Sequence, residues 1–261
     1  MTTKIINYST KKRYAIISDI HWNIEGLNAI LDDIKNREID EIICLGDIVD
    51  LGPNSKECID KLIDMNIKST LWNHELYLLR WTDIEPTIVW EENKHYEWVK
   101  NQLWTKEIEY LQKCPLYYEL NIKNSENINK KIILAHYLIK DETLAQPFEK
   151  NHLKRDINLW IKYNNKDTIY VLGHVHNSFD INQIEWINND SKEANKLANI
   201  KIVASAGCSK DNYVYYAIIE IDKNFSFENI KVKFDRDTFV NKILSTDFPD
   251  KENIKKIFYG I

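Results

Sequence analysis

Residues 13–36 read RYAIISDIHWNIEGLNAILDDIKN, and a change of period inside this stretch sets the fold class. RYAIIS (13–18) is a short apolar run of β-favouring residues, the pattern of a buried strand. Ile24, Leu27, Ile30, Leu31 and Ile34 then recur at helical spacing. The same alternation continues outward, with EIICL (41–45) as a strand, SKECIDKLIDM (55–65) as a helix with Ser55 at its N-cap, and IKSTLW (67–72) as a third strand. Such β-α-β-α-β order implies parallel strands joined by helical crossovers, because parallel neighbours cannot be joined by a tight hairpin.

Further along, residues 76–113 change to a purely helical pattern carrying Trp81, Trp90, Trp98 and Trp104, read as a helical cap inserted into a single domain that spans 1–261. Strands are expected at 116–122 and 131–135 around the polar turn KNSENINK, a helix over about 148–163, and a strand at TIYVL (168–172). DINQIEWI, IKIVASAG, YVYYAIIEI and FSFENIKVKF follow as further strands, with one or two short helices after Asp235. The second half is therefore richer in strands than a simple doubly wound sheet.

The totals bound what the protein can be. Its 261 residues support a substantial core, and 44% hydrophobic with 29% charged residues is an ordinary globular balance. A net charge of -5 and a pI near 5.9 argue against a broad basic surface, so no duplex nucleic acid is expected as a partner. The first residues lack the apolar core of a signal peptide and no later run reaches membrane-spanning length, which makes a cytoplasmic protein with no membrane partner the expectation. Cys44, Cys58, Cys114 and Cys208 are widely spaced, the pattern of reduced thiols rather than a disulfide framework or a zinc ribbon.

The polar residues at the strand ends carry the chemistry. Asp19 and His21 follow the first strand, Asp47 and Asp50 the second, Asn73 and His74 the third, His136 follows KIILA, and His174 and His176 follow IYVLG. Alternation along an extended segment points His174 and His176 the same way. The C-terminal edge of an α/β sheet is where sites are built. Carboxylates, imidazoles and one carboxamide, without a thiolate, suit borderline and hard divalent ions. There are more donors than one tetrahedral zinc needs, whereas two ions sharing a carboxylate would use them all.

SDIHWN, LGDIVDLGPNS, LWNHE, LAHY and LGHVH, in this order, resemble the calcineurin-like metallophosphoesterase superfamily with its D-x-H, G-D-x-x-D, G-N-H-[DE], lone His and G-H-x-H motifs. The resemblance runs from about residue 14 to 220 and is nearest to the small bacterial phosphodiesterase-like branch. It implies an α/β (α+β) fold, a four-layer α/β/β/α sandwich of two mixed sheets. It also implies two divalent metal ions, drawn from Mn, Fe, Zn, Ni or Co. One would be held by Asp19, His21, Asp47 and His176, the other by Asp47, Asn73, His136 and His174, with Asp47 bridging. His74 would then be free to stabilise a phosphate oxygen or protonate the leaving group, Glu75 would orient it, and Asp50 would accept from a ligating histidine. The implied reaction is attack by a metal-bridging hydroxide on a small phosphate ester or anhydride, with phosphodiesters, nucleotides and dinucleoside polyphosphates as the substrate class.

Trp22 and Trp72 depart from the pattern, standing where the motifs usually carry glycine. Each could offer a face to a substrate base in the pocket or pack as core; core packing is the favoured reading because large aromatics mostly contribute by burial. His95 and His152 have no partner ligands in sequence and read as solvated side chains, and Cys208 has no catalytic dyad around it. Two other functions compete. A non-catalytic interaction module on the same fold would not need the full donor set and His74, which are kept. A protein phosphatase would carry arginine where Leu51 stands.

Overall fold

Alternation along two strands determines how the layers stack. In β2 (Lys12–Ile17), Tyr14 and Ile16 join one buried cluster while Ala15 and Ile17 join another. In β9 (Tyr213–Ile221), Ala217 and Ile219 share the first cluster and Tyr216 and Ile218 the second. Strands buried on both faces need a layer on each side. A computed structural model describes residues 4–8, 11–80, 90–123, 129–137, 168–176, 200–222 and 225–261 and supplies those layers. With β3 (Glu41–Cys44), β4 (Lys68–Ser69) and β10 (Phe225–Lys233), these strands form a mixed sheet of order β10-β9-β2-β3-β4, in which β2, β3 and β4 run parallel. The second mixed sheet contains β1 (Lys4–Tyr8), β5 (Tyr117–Lys123), β6 (Asn129–Ala135), β7 (Thr168–Leu172) and β8 (Ile200–Ile202), in the order β1-β5-β6-β7-β8, with β6, β7 and β8 parallel.

Tyr14, Ile16, Ile43 and Leu45 meet Leu120, Ile132, Leu134 and Val171 between the sheets. Each such side chain contributes about 1.5–3 kcal/mol of burial. Helices α1 (Ile24–Ile34) and α2 (Ser55–Asp64) cover the other face of the first sheet through Leu27, Ile30, Ile59 and Leu62. Asn23 starts α1, its Oδ1 accepting the Gly26 N–H at 2.7 Å. The N-cap of α2 is Asn54 rather than Ser55, whose hydroxyl instead accepts the Asp50 N–H at 3.0 Å.

Helices α3 (Asn73–Arg80), α4 (Trp90–Lys100) and α5 (Thr105–Lys113) occupy the span read as helical. α6 (Arg236–Ser245) and α7 (Lys251–Ile254), which runs on into a π-helical turn at Lys255–Tyr259, form the tail. Strand β4 is shorter than the expected 67–72 because the Leu71 N–H turns away to the Pro115 carbonyl, 2.9 Å distant. β1, which pairs in parallel with β5, was not anticipated. Trp81, the helix expected over about 148–163 and the strand DINQIEWI lie outside the described residues. No helix among the described residues is long and apolar enough to cross a membrane.

Both tryptophans at glycine positions are buried, in keeping with the favoured core reading rather than the pocket one. Trp22 has no exposed surface, stacks on Phe239 at 4.7 Å and donates from Nε1 to the Tyr259 hydroxyl at 2.7 Å. Its φ of 60° is the left-handed geometry glycine would serve, and the indole is housed because residue 52 is glycine: a Cβ there would lie 2.1 Å from the ring. Trp72 is equally buried, against Tyr137 at 4.4 Å and His136 at 6.0 Å, and its φ is not positive. Neither ring has a free face for a base. Trp22→Gly relieves about 1–2 kcal/mol of backbone strain but empties the site of a large ring, so urea unfolding should show a net loss of about 3 kcal/mol or more. A loss below about 1 kcal/mol would show that the indole is not a core element.

Candidate metal centre

The C-terminal ends of β2, β3, β6 and β7 reach the same edge of the sandwich, and backbone bonds tie their loops together. The Asp19 N–H donates to the Gly46 carbonyl at 3.1 Å and the His21 N–H to the Asp47 carbonyl at 3.0 Å. Within the second sheet the Gly173 N–H donates to the His136 carbonyl at 2.9 Å, and the two sheets are joined by the Ala206 N–H, which donates to the Ser18 carbonyl at 2.8 Å, and by Ser205 Oγ, which donates to the Asp19 carbonyl at 2.8 Å. Gly207 is required at this seam, since a Cβ there would stand 1.8 Å from the Ile20 carbonyl oxygen. Asp19, His21, Asp47, His174 and His176 all take positive φ, between 41° and 71°. For non-glycine residues that conformation costs of order 1 kcal/mol each, and it persists only where surrounding contacts over-determine it.

The donor atoms converge. His136 Nε2 lies 2.9 Å from Asp47 Oδ2 and 3.2 Å from His174 Nδ1. On the other side His21 Nε2 is 3.3 Å from His176 Nε2, 4.0 Å from Asp19 Oδ1 and 3.8 Å from Asp47 Oδ2, and His176 Nε2 is 3.4 Å from Asp19 Oδ1. The structure thus gathers Asp19, His21, Asp47, His136, His174 and His176, with Asp47 facing both groups of imidazoles. Asn73, at the first turn of α3, is buried, and its Oδ1 has no hydrogen-bond partner. A buried acceptor without a donor, beside converging imidazoles and carboxylates, fits a cation-binding cage.

Two neighbours complicate the ligand list. The Cys208 thiol lies within 4.8 Å of ligand atoms of His21 and His176, although no thiol entered the expected donor set. His74 also groups with His21 and Asp47 at that range.

The supporting carboxylates differ from the roles expected from the sequence. Glu75 does not orient His74: it is fully buried and accepts backbone N–H groups from Ile48 (2.6 Å), Asp47 (3.1 Å), Trp72 (3.2 Å) and Val49 (3.3 Å). The Trp72 contact is the reciprocal half of a capping box, three residues before the glutamate at the start of α3. Asp50 does the orienting, its Oδ2 lying 2.7 Å from His74 Nδ1, so its partner is not one of the expected ligating histidines. His95 was read as solvated, yet it is buried and its Nδ1 hydrogen-bonds the other Asp50 oxygen. No sequence signal linked Asp50 to a histidine 45 residues away. His152 lies outside the described residues.

Electrostatics separate the imidazoles into two kinds. Burial alone would push the Asp19 and Asp47 carboxyls up, but His136 and the neighbouring rings hold both well below the usual range. Burial, with nearby cationic rings, depresses His21 and His174 to about 3, so both are neutral and able to present lone pairs. His74 goes the other way: burial opposes its charge, but Asp47 and Asp50 outweigh that and raise it to about 9.

The profile of the family described as calcineurin-like phosphoesterase matches residues 12–206. The chain is 32% identical over 258 residues to the uncharacterized protein MJ0912 of Methanocaldococcus jannaschii, covering 92% of this chain and 95% of that one. Among solved structures, a metallophosphoesterase from Sphaerobacter thermophilus aligns with a TM-score of 0.65 at 19% identity, covering 96% of this chain and 99% of the other. A protein proposed to be a diadenosine tetraphosphatase aligns with a TM-score of 0.55 at 13% identity, covering 88% and 99%.

Acid should reveal the depressed imidazoles. In the unfolded chain His21 and His174 titrate near 6.5, so below that value the unfolded state binds two protons that the folded, metal-free state refuses down to about pH 3. His74 is protonated in both states below pH 6 and adds no slope there. Stability of the chelator-treated protein, read from urea midpoints, should therefore fall between about pH 6 and 4 by up to about 1.4 kcal/mol per pH unit per group. His174→Asn should roughly halve that dependence; an unchanged slope would show that His174 is not held neutral.

Proposed function

The chain belongs to the calcineurin-like phosphoesterase family and is a phosphoester hydrolase of that class, and we propose that it hydrolyses small phosphate esters or anhydrides at a two-ion centre. One ion would be held by Asp19, His21, Asp47 and His176 and the other by Asp47, Asn73, His136 and His174. The observation that carries this reading is the position of Asp47 Oδ2, 2.9 Å from His136 on one side and 3.8 Å from His21 on the other, together with the orphaned Oδ1 of Asn73. When bound, a pair of divalent ions supplies the Lewis acidity that activates water and neutralises phosphate charge. Manganese is one of the borderline ions that this nitrogen and oxygen donor set suits.

The chain's own residues do the rest. Two buried carboxylates against two divalent ions leave a local excess of about two positive charges in a protein of net charge -5, which draws phosphate to this edge. His74 is 17% exposed, and its Nδ1 on Asp50 leaves Nε2 as the proton-carrying atom turned toward Asp47, 3.8 Å away. As the P–O bond to the leaving group breaks, His74 passes the Nε2 proton to the departing oxygen while keeping its Nδ1 proton on Asp50. α3 to α5 act as a cap, with α4 bringing Tyr96 to 3.2 Å from His74 Nδ1. Nucleotides, dinucleoside polyphosphates and phosphodiesters are the proposed substrates; any preference for a base does not come from Trp22 or Trp72, which are buried.

A substrate screen with Mn, Ni, Co and Mg tests the reading. Asp47→Asn should lose both bound metal and hydrolysis, whereas His74→Ala should keep the metal and lose about 10²- to 10⁴-fold in kcat. Metal-loaded protein that releases neither phosphate nor nucleotide from any substrate, beyond these controls, would overturn it.

A further inference from the structure

We infer that His95 is a positioning residue for the proposed proton donor, acting through Asp50 to fix the His74 ring; this rests on the phosphoesterase reading above. The geometry is a three-part chain. His74 Nδ1 is 2.7 Å from Asp50 Oδ2, and His95 Nδ1 bonds Asp50 Oδ1. Asp50 is thus gripped at both oxygens, and its backbone is fixed by its N–H on Ser55 Oγ at 3.0 Å. His95 is 2% exposed and wedged between Trp98 at 5.9 Å and Phe248 at 5.6 Å, so its ring has one orientation.

The tautomer follows from satisfaction. His95 Nε2 is buried and makes no hydrogen bond. Asp50 Oδ1 is an acceptor, so the ring nitrogen that faces it, Nδ1, carries a proton and donates to Asp50. That second donor has two effects. It satisfies an oxygen that would otherwise be buried and unpaired, and it draws charge from the carboxylate, so the His74 Nδ1 proton stays on the imidazole. His74 can then give up only its Nε2 proton. Because His95 lies on α4, the helical segment between β4 and β5 takes part in placing the donor.

A positioning role separates from a purely structural one by leaving group and by double mutation. With the metal-loaded protein, His95→Ala should lower kcat about 10- to 100-fold on dialkyl phosphate diesters or alkyl phosphate monoesters, whose departing alkoxide must take up a proton. The loss on bis(p-nitrophenyl) phosphate should be much smaller, since p-nitrophenolate leaves without a proton. In a His74→Ala background, His95→Ala should add nothing further. His95→Asn, whose side-chain N–H can replace the Nδ1 donor, should recover part of the loss. Equal losses for both leaving groups, or full additivity with His74→Ala, would overturn the inference. If the wild type turned over no phosphate ester, the phosphoesterase reading would fail instead. The hydrogen-bond chain would still be read by proton NMR of the zinc-loaded protein, where His95→Asn should move the downfield His74 Nδ1 proton; an unmoved signal would also overturn the inference.

Discussion

Two buried carboxylates, Asp19 and Asp47, set the terms for everything at the sandwich edge. Burying one unpaired carboxylate costs several kcal/mol, and burying two that repel each other costs more. The fold answers with imidazoles: His136 is 2.9 Å from Asp47 and 3.7 Å from Asp19, and His21 and His176 complete the ring. Burial disfavours charge on these rings and cationic neighbouring imidazoles disfavour it further, which is why His21 and His174 stay neutral. Carboxylates that need positive charge beside rings that offer lone pairs make a site whose unmet demand is for cations.

Holding such an arrangement requires a backbone that would not choose this shape. The positive φ values of Asp19, His21, Asp47, His174 and His176 fall in the loops just past the ends of β2, β3 and β7, where the chain leaves the extended conformation and curls these side chains toward one another. Glu75 shows how the strain is contained. One buried carboxyl group accepts four N–H groups from the loop after β3 and from the start of α3, so Asp47 and Asn73 are placed by the same side chain. Its part is to hold the proposed ligands Asp47 and Asn73 in place, not to steer His74, a distinction that the adjacent letters Asn73, His74 and Glu75 cannot convey.

Much of this was legible because the signals are local. Strand TIYVL, the helical period of Ile24 to Ile34 and the polar residues at strand ends depend on neighbouring letters, and the described structure places those elements as read. What escaped depends on distant partners. The Asp50 to His95 bond joins residues 45 apart, and the Trp22 to Tyr259 bond joins residues 237 apart, with no periodicity to announce either. Strand β4 was read too long for the same reason: Leu71 looks like strand but bonds to Pro115, a partner the local sequence does not contain. Trp22 is the instructive case, since glycine's usual role of reaching positive φ was legible while the compensation, an absent side chain at Gly52, was not.

The cage also has consequences for the fold that contains it. Asp19, His21, Asp47 and Asn73 come from the sheet of β2, β3 and β4, whereas His136, His174 and His176 come from the sheet of β6 and β7. Each proposed ion would therefore take ligands from both sheets and act as a bolt across the apolar layer of Ile16, Ile43, Leu134 and Val171. A ligand that binds only the folded state stabilises it by mass action, about 2.7 kcal/mol at one hundred times its dissociation constant. The apolar layer brings the donors near one another, and ions drawn by the buried carboxylates in turn resist separation of the sheets. Packing and chemistry here are one constraint acting in two directions, so substitutions in the inter-sheet core should act on the site through spacing rather than through charge.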